Sequence, residues 1–122
     1  MSLRKVYLAG RVTAQLRLRQ QREVLQHKGF QVLSTWLDVA VQYPEALTQQ
    51  GEALRDLDEI RAADLFLIDT LDESPTGGRE FEAGYAHALN IPIWRVGPAR
   101  HIFHALAEKT YISWKEFDGI HG

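Results

Sequence analysis

The feature that most constrains the fold is a run of four large apolar residues, LFLI at positions 65–68, which lies between two aspartates. The run has the length of a β-strand, and it lacks the polar alternation of a strand with one face in water. Strands of this kind occur in parallel sheets whose two faces are covered by helices. The run therefore predicts an α/β fold built around a central strand.

Short apolar segments alternate with amphipathic ones along the rest of the chain. Residues 38–51 are polar and predict no regular element. The alternation predicts a single α/β domain over residues 1–122, a Rossmann- or flavodoxin-like three-layer sandwich with a mostly parallel five-stranded sheet. The predicted strands are 5–9, 30–33, 65–68, 91–96 and 110–113, and the predicted helices are 13–28, 52–63, 79–89 and a short one at 101–107.

The composition excludes several classes of function. A net charge of −2 over 122 residues gives no electrostatic reason to expect a nucleic-acid polymer or an acidic membrane as partner. The chain has no cysteine, which excludes disulfides, a thiol nucleophile and cysteine-ligated zinc. The N-terminus has no signal-peptide pattern, and no apolar run approaches the roughly 20 residues of a membrane span. We therefore expect a soluble cytoplasmic domain.

The predicted topology also indicates where a ligand would bind. In a parallel sheet, ligands bind beyond the carboxyl ends of the strands, near the point where the strand order reverses. The predicted strand ends place four segments on this rim, namely 9–11, 34–37, 69–79 and 97–98. We expect the functional site to be built from them.

Two glutamates follow the third rim segment, in the sequence GGREFEAGYAHAL that starts at position 77. Glu80 and Glu82 lie close to the predicted helix start, where the helix dipole favours an ionised carboxylate, as a nucleophile or base requires. Phe81 and Tyr85 are expected to hold the helix against the sheet, which leaves Glu82 free to reach the rim. Glu80 is expected to be a solvated partner of the dipole, and acids at such positions are mostly structural.

Gly77, Gly78 and Arg79 form a second candidate for function. Consecutive glycines before a helix let the backbone approach an anion closely, and an arginine can grip an anion with a bidentate fork. The spacing is not that of a known phosphate loop, so a plain turn explains the glycines equally well.

Four more residues have a structural interpretation beside a functional one. Asp56 lies in the charge-laced stretch RDLDEIR, which is typical of an exposed helix face. Tyr7 lies inside a predicted strand, where a tyrosine is more often part of the core than a catalyst. His101 and His104 share a helical face, but without a third ligand they predict no metal site.

Taken in order, three segments resemble the nucleoside 2-deoxyribosyltransferases and the related 2′-deoxynucleoside 5′-monophosphate N-glycosidases. KVYLAG at positions 5–10 resembles the opening strand of that family. Asp56-Leu57 is similar to its helix with an active-site aspartate, and FEAGYA at 81–86 resembles the stretch with the nucleophilic glutamate. The three segments together span most of the chain.

The resemblance implies an enzyme that cleaves the N-glycosidic bond of a 2′-deoxyribonucleoside or of its 5′-monophosphate. Glu82 would attack C1′ of the sugar and form a covalent glycosyl-enzyme, as in retaining glycosidases. Tyr7 would orient the glutamate, and Asp56 would hold the substrate and manage the proton needed at the leaving base. The sugar would then pass to another base or to water, without a metal or an organic cofactor. The alternative is a non-catalytic nucleotide-binding or sensor domain on the same fold.

One departure from the family pattern bears on the substrate. Transferases that act on free nucleosides carry an aspartate six residues before the nucleophile, where this chain has Thr76. A small hydroxyl there resembles the branch that accepts 5′-monophosphates, and the adjacent GGR at 77–79, with Gly10 and Arg11, could bind a phosphate. The resemblance therefore favours a nucleotide substrate.

The C-terminal half and the second rim segment leave further alternatives open. Transferases of the family lend an asparagine to a neighbouring subunit, whereas the only asparagine here is Asn90, before a strand, which favours hydrolysis over base exchange. The family's shared sites imply a homodimer or a larger homo-oligomer.

Trp36 is either a surface on which the base stacks or a buried anchor for the long loop that follows it.

Overall fold

The chain alternates strands and helices, as its sequence predicts. The computed structural model describes residues 4–39 and 46–121, and within this part no helix is long and apolar enough to cross a bilayer. The strands are β1 (Arg4–Ala9), β2 (Phe30–Val32), β3 (Leu65–Asp69), β4 (Ile93–Val96) and β5 (Lys109–Tyr111). The helices are α1 (Gln15–His27), α2 (Ala46–Ala62), α3 (Gly78–Ala88) and α4 (Trp114–Ile120), with short 3-10 helices at Val12–Ala14, Thr35–Asp38 and Ile102–Leu106.

The five strands form one parallel sheet in the order β2-β1-β3-β4-β5. Tyr7 of β1 is in register with Phe66 of β3, and every residue of β3 is buried. Strand β2 lies on one side of β1, and the chain then crosses to the other side, where β3, β4 and β5 follow in order. The strand order therefore reverses between β1 and β3. The predicted α/β fold class is confirmed, and the sheet is parallel throughout.

Each face of the sheet is covered by two helices, because side chains of successive strand residues point to opposite faces. On one face, α1 and α4 pack against β-strand side chains through Leu18, Leu25, Trp114 and Phe117. On the other face, the buried residues are Tyr7, Ala9, Ile60, Ala63, Phe66, Ile68, Ala83, Ala86 and Ile93, which α2, α3 and the sheet contribute. This second face holds the functional candidates on α2 and α3.

The loop after β1 depends on a glycine. A Cβ added at Gly10 would lie 2.8 Å from Leu18 Cδ1 and 3.4 Å from Asp69 Cβ. Any side chain at this position would push the loop away from α1 and from the end of β3. The glycine therefore lets the first rim segment stay low over the carboxyl edge of the sheet.

Two predicted boundaries are wrong. Helix α2 begins at Ala46, whereas the sequence predicts irregular structure until residue 51; residues 40–45 of that predicted segment lie outside the described part. Alanine, leucine and glutamine in this stretch have good helix propensity, which outweighs its polar appearance. Helix α4 was not predicted, although Ser113 begins it with a side-chain oxygen that accepts from the backbone N–H of Glu116 at 3.2 Å. The predicted strand at 110–113 correspondingly ends at Tyr111.

Candidate active site

The face of α3 that packs on the sheet differs from the predicted one. Arg79, Ala83 and Ala86 are buried, whereas Phe81 is 68% exposed. Together with Glu82, the buried residues occur at spacings of three, four and seven from Arg79, which is one face of a helix. Small alanine side chains let α3 lie close to the sheet, and the larger aromatic ring points away from it. Glu82 therefore lies on the face of α3 that packs against the sheet, whereas the sequence predicts that it lies outside that face.

Glu82 is held by a tyrosine of the central sheet. The Tyr7 hydroxyl donates a hydrogen bond of 2.7 Å to Glu82 Oε2, between residues that are 75 positions apart in the chain. The ring of Tyr7 is fully buried and stacks on Phe66, with 5.7 Å between ring centroids and 14° between the planes. Burial, followed by the negative charges of Glu82 and Asp56, raises the pKa of Tyr7 far above its usual value, so the hydroxyl remains a donor.

The sequence predicts that the helix dipole stabilises the ionised form of Glu82, whereas in the structure burial favours the protonated form. Burial raises the pKa of Glu82 to about 7, the hydrogen bond from Tyr7 lowers it in part, and the charges of Asp56 and Glu59 raise it again. Helix α3 begins at Gly78, so Glu80 is the acid of its first turn and Glu82 lies beyond the unpaired N–H groups. Desolvation therefore outweighs the dipole at this position.

Asp56 on α2 faces the same space. Its side chain is 22% exposed, and Oδ1 lies 3.9 Å from Arg55 Nη2, beyond hydrogen-bonding distance. Within the described residues, this buried oxygen has no hydrogen-bond partner. Burial raises the pKa of Asp56 to about 6, Arg55 opposes the shift, and the charges of Glu59 and Glu52 add to it. Asp56 is thus a largely buried carboxyl group that is held close to the guanidinium of Arg55.

These side chains open into a pocket of about 270 Å³ at the carboxyl edge of the sheet. Eight of the ten predicted site residues line it, which are Gly10, Arg11, Trp36, Asp56, Thr76, Gly78, Arg79 and Glu82. Tyr7 reaches it through its hydrogen bond to Glu82, and Gly77 adjoins it as the residue before α3. The lining residues that the sequence reading missed are Val12, Ala53, Leu57, Ser74 and Phe81. Ala53 could have been found from Asp56, because a spacing of three residues places both on one helix face, and Leu57 from Ala53, four residues before it.

Trp36 is anchored to β1 and also lines the pocket. Its indole Nε1 donates a hydrogen bond of 2.8 Å to the carbonyl oxygen of Leu8, and the ring packs against the hydrophobic residues of both sheet faces. The same side chain lines the pocket, opposite the α2 and α3 walls. It is both an anchor for its segment and an aromatic wall of the pocket.

The far end of the pocket is polar. Gly77 has a φ of 76°, a left-handed conformation that favours glycine, and a hydrogen bond of 2.9 Å from Phe81 N to its carbonyl starts α3. Thr76 is exposed beside it, 3.3 Å from the hydroxyl of Ser74. Among the described residues, no carboxylate pairs with Arg11, which also lines an adjoining cavity. These groups could accept an anionic part of a ligand.

Arg79 and Glu80 are less available than the sequence predicts. Arg79 is 4% exposed; its Nε donates to Glu80 at 2.7 Å, and its Nη1 donates to the carbonyl oxygens of Asp69 and Asp72. A bidentate grip of a phosphate by Arg79 would have to break these bonds. The guanidinium instead ties the loop after β3 to the start of α3.

Glu80 is buried rather than solvated, and this part of the prediction is wrong. His104 Nε2 lies 2.8 Å from Glu80 Oε2, and His104 Nδ1 accepts from Arg100 N, so the proton resides on Nε2. Burial raises the pKa of Glu80, but the hydrogen bonds from His104 and Arg79 outweigh it and the pKa is lowered. The network fixes the start of α3 two residues before Glu82.

Comparison with known proteins gives one family and several solved structures. A model of the family described as nucleoside 2-deoxyribosyltransferase matches residues 6–111, which include Tyr7, Asp56 and Glu82. A search of curated protein sequences finds no significant match.

The solved structures share the fold at low sequence identity. A 2-deoxyribosyltransferase from Bacillus psychrosaccharolyticus is 20% identical with a TM-score of 0.77, over 93% of this chain and 90% of that chain. A CMP N-glycosidase from Clostridium botulinum is 22% identical with a TM-score of 0.64, over 95% and 96% of the two chains. A 2-desoxiribosyltransferase from Leishmania mexicana is 20% identical with a TM-score of 0.56, over 76% and 63%.

Proposed function

Because the chain belongs to the nucleoside 2-deoxyribosyltransferase family, we propose that it is an enzyme that cleaves the N-glycosidic bond of 2′-deoxyribonucleosides or their 5′-monophosphates. The observation that carries the proposal is the hydrogen bond of 2.7 Å between Tyr7 and Glu82 at the wall of a pocket that is also lined by Asp56 of α2. A positioned carboxylate and a second carboxyl group are what cleavage through a covalent glycosyl-enzyme requires.

In the proposed reaction, Glu82 attacks C1′ of the sugar while the base leaves from the opposite face. The electron pair of the N-glycosidic bond goes to the base, which takes a proton from Asp56. Tyr7 holds one carboxylate oxygen of Glu82, so that the other is directed at the sugar. Water or a second base then attacks C1′ and gives its proton to Asp56, which is thereby restored, while the bond between C1′ and Glu82 breaks and its electron pair returns to the carboxylate. The apolar wall of Trp36 and Leu57 suits a base, and no cofactor takes part.

Cleavage of the monophosphate by water is the preferred form of this proposal. The polar end of the pocket, with Thr76, Gly78 and the unpaired Arg11, suits the 5′-phosphate of a nucleotide. Incubating the protein with deoxynucleosides and with their 5′-monophosphates, with and without a second base, tests it by chromatography of the products. Base release from the monophosphate supports hydrolysis, and a new nucleoside or nucleotide would establish transfer.

The rival proposal is a nucleotide-binding or sensor domain without catalysis. A pocket of about 270 Å³ lined by Asp56, Glu82 and Trp36 suits a ligand under either proposal. Saturable binding of deoxynucleotides with no base released over a long incubation would establish the rival and reject the enzyme.

We expect Tyr7→Phe to lower kcat by about 10- to 100-fold, the usual worth of one hydrogen bond to a charged group. Because the Tyr7 hydroxyl lowers the pKa of Glu82, its loss should raise that pKa. The pKa of Glu82, about 7, is higher than that of Asp56, about 6, so it sets the alkaline limb of the pH–rate profile, which should move to higher pH while the maximum rate falls. The pH dependence of kcat measures this. Tyr85→Phe is the matched control, since the Tyr85 hydroxyl accepts from Arg61 outside the pocket. An unchanged alkaline limb in Tyr7→Phe would contradict the role of Tyr7.

We expect Arg11→Gln to raise KM about tenfold or more for a 5′-monophosphate and to leave KM for the free nucleoside unchanged, because only the phosphate pairs with a guanidinium. Steady-state kinetics on both substrates measure the difference. Lys115→Gln removes the same charge from the exposed surface of α4 and should change neither value. Equal loss for both substrates in Arg11→Gln would contradict a phosphate contact.

We also propose that the protein is at least a homodimer. Phe81, Ile102 and Phe103 are more than half exposed, and Phe81 and Phe103 line one apolar hollow on α3. An exposed apolar surface of this kind is typical of an interface. Small-angle scattering that gives the mass of a single chain would reject the dimer. The cytoplasmic location stays a prediction from the sequence.

A further inference from the structure

The segment that carries Trp36 is fixed to the sheet from one side. The Ser34 hydroxyl oxygen accepts a hydrogen bond of 2.5 Å from the backbone N–H of Leu8, and Trp36 Nε1 donates to the carbonyl oxygen of the same residue. Both groups of Leu8 are thereby used, directly beside Tyr7. Trp36 is therefore fixed to β1, the strand that also contributes Tyr7.

The other side of this segment is fixed by Glu59. Its Oε1 accepts a hydrogen bond of 3.2 Å from the backbone N–H of Thr35, and its Oε2 accepts one of 2.7 Å from the Thr35 hydroxyl. Thr35 is the first residue of the 3-10 helix that contains Trp36, so its N–H has no partner within that helix. Glu59 lies three residues after Asp56 on α2, so the two carboxyl groups lie on neighbouring parts of one helix surface.

The charge of Glu59 acts on each titratable group of the pocket. It raises the pKa of Tyr7 on β1, of Asp56 on α2 and of Glu82 on α3. The other charges acting on Asp56 are Arg55, which lowers its pKa, and Glu52, which raises it. For Glu82, the remaining charge is Asp56 itself.

We propose that Glu59 is a positioning residue of this site, which fastens the Trp36 wall to α2 through Thr35 and places a negative charge on the helix surface beside Asp56. The proposal rests on the proposed function for its consequence on turnover. A neutral Asp56 has the proton that the leaving base needs, and a deprotonated one does not. Glu59 contacts neither sugar nor base and works through Thr35 and through its charge.

The charge is tested by Glu59→Gln. A glutamine can keep both contacts, since its carbonyl oxygen accepts from Thr35 N and its amide donates to the Thr35 hydroxyl oxygen. Removing the charge should lower the pKa of Asp56 and of Glu82, so both limbs of the pH–rate profile should move to lower pH while KM stays within about twofold, because the contacts to Thr35 are retained. Asp58→Asn is the matched control, because this neighbouring side chain is 72% exposed and pairs with Arg61. An unmoved profile in Glu59→Gln, or an equal movement in Asp58→Asn, overturns the proposal.

The contact is tested separately by Thr35→Val, which keeps the charge of Glu59 and removes the hydroxyl. KM should rise by about two- to tenfold, the usual worth of one hydrogen bond, because the Trp36 wall is less firmly held. The pH limbs should stay in place. A change in the limbs with no change in KM would overturn the division of roles between contact and charge.

A titration independent of turnover separates this proposal from the proposed function. The carboxyl carbon of Glu82 can be followed by NMR against pH in the wild-type protein, in Glu59→Gln and in Asp58→Asn. Only Glu59→Gln should show a lower pKa, whether or not the protein cleaves a nucleotide. The same pKa in all three proteins overturns the role of Glu59, and a lower one without base release rejects only the enzymatic reading.

Discussion

Replacing Glu82 with glutamine should lower kcat/KM on the proposed substrates by on the order of 10⁴-fold, the usual cost of removing a nucleophile. Glutamine keeps the size of the side chain and can still accept the hydrogen bond from Tyr7, which is 2.7 Å long in the wild type. What it loses is the oxygen that bonds to C1′. Initial rates of base release measure the effect, and a rate within tenfold of the wild type would reject the covalent mechanism.

The same variant should be more stable than the wild type above neutral pH. The folded pKa of Glu82, about 7, is above its ordinary value of 4.5, so the folded state binds more protons than the unfolded state between these pH values. Stability of the wild type therefore falls as pH rises through this window, by about 3 kcal/mol at its upper end. Glutamine does not titrate, so Glu82→Gln should gain at pH 8 and match the wild type at pH 4.

Denaturant unfolding at both pH values measures this difference in the free energy of unfolding. A variant that loses activity and gains stability at pH 8 would show that the ionised Glu82 side chain lowers the free energy of unfolding and is needed for the reaction. Loss of stability at both pH values would instead indicate that Glu82 is a structural residue whose activity loss follows from unfolding.

Replacing Asp56 with asparagine should lower kcat by about 10²- to 10³-fold, the range of general acid catalysis. In the proposed reaction, the rate requires ionised Glu82 and protonated Asp56, whose pKa values are about 7 and about 6. The profile should therefore be a narrow bell between these values. Asparagine has no acid proton, so the alkaline limb should disappear.

The pH dependence of kcat for Asp56→Asn measures both effects, with Asp58→Asn as the matched control on the same helix. Asp58 is exposed and lies outside the pocket, so its replacement should leave the bell in place. An alkaline limb that persists in Asp56→Asn would assign the proton transfer to another group and leave Asp56 a role in binding alone.

The fold followed from the sequence because its strongest signals are local. The apolar run at 65–68 and the alternation of elements determine a parallel sheet, and β3 is buried along its whole length. Helix α4 was missed because it is short, although Ser113 and Glu116 have the spacing of a capping box, which is a readable signal. The start of α2 was missed because its polar residues, although they are good helix formers, were interpreted as a loop.

The sequence predicts which residues line the pocket better than it predicts their burial and pKa values. The segments around Tyr7, Asp56 and Glu82 resemble one family, and the family match covers all three. The buried face of α3 was predicted wrongly, because Phe81 is more hydrophobic than Arg79 and was expected to be buried. In the structure Arg79 is buried and Phe81 is exposed, since the small alanine side chains let α3 pack closely against the sheet. The raised pKa of Glu82 and the buried pair of Glu80 and His104 depend on residues far away in the chain, which local spacing does not reveal.

The hydrogen bond between Tyr7 and Glu82 links the first strand to the third helix across 75 positions, and both central strands must pair before it can exist. A chain emerging from the ribosome, or one partly melted, would have an unaligned carboxylate. Under the proposed function, only the folded chain, in which this hydrogen bond joins β1 to α3, would hold the carboxylate in position to react.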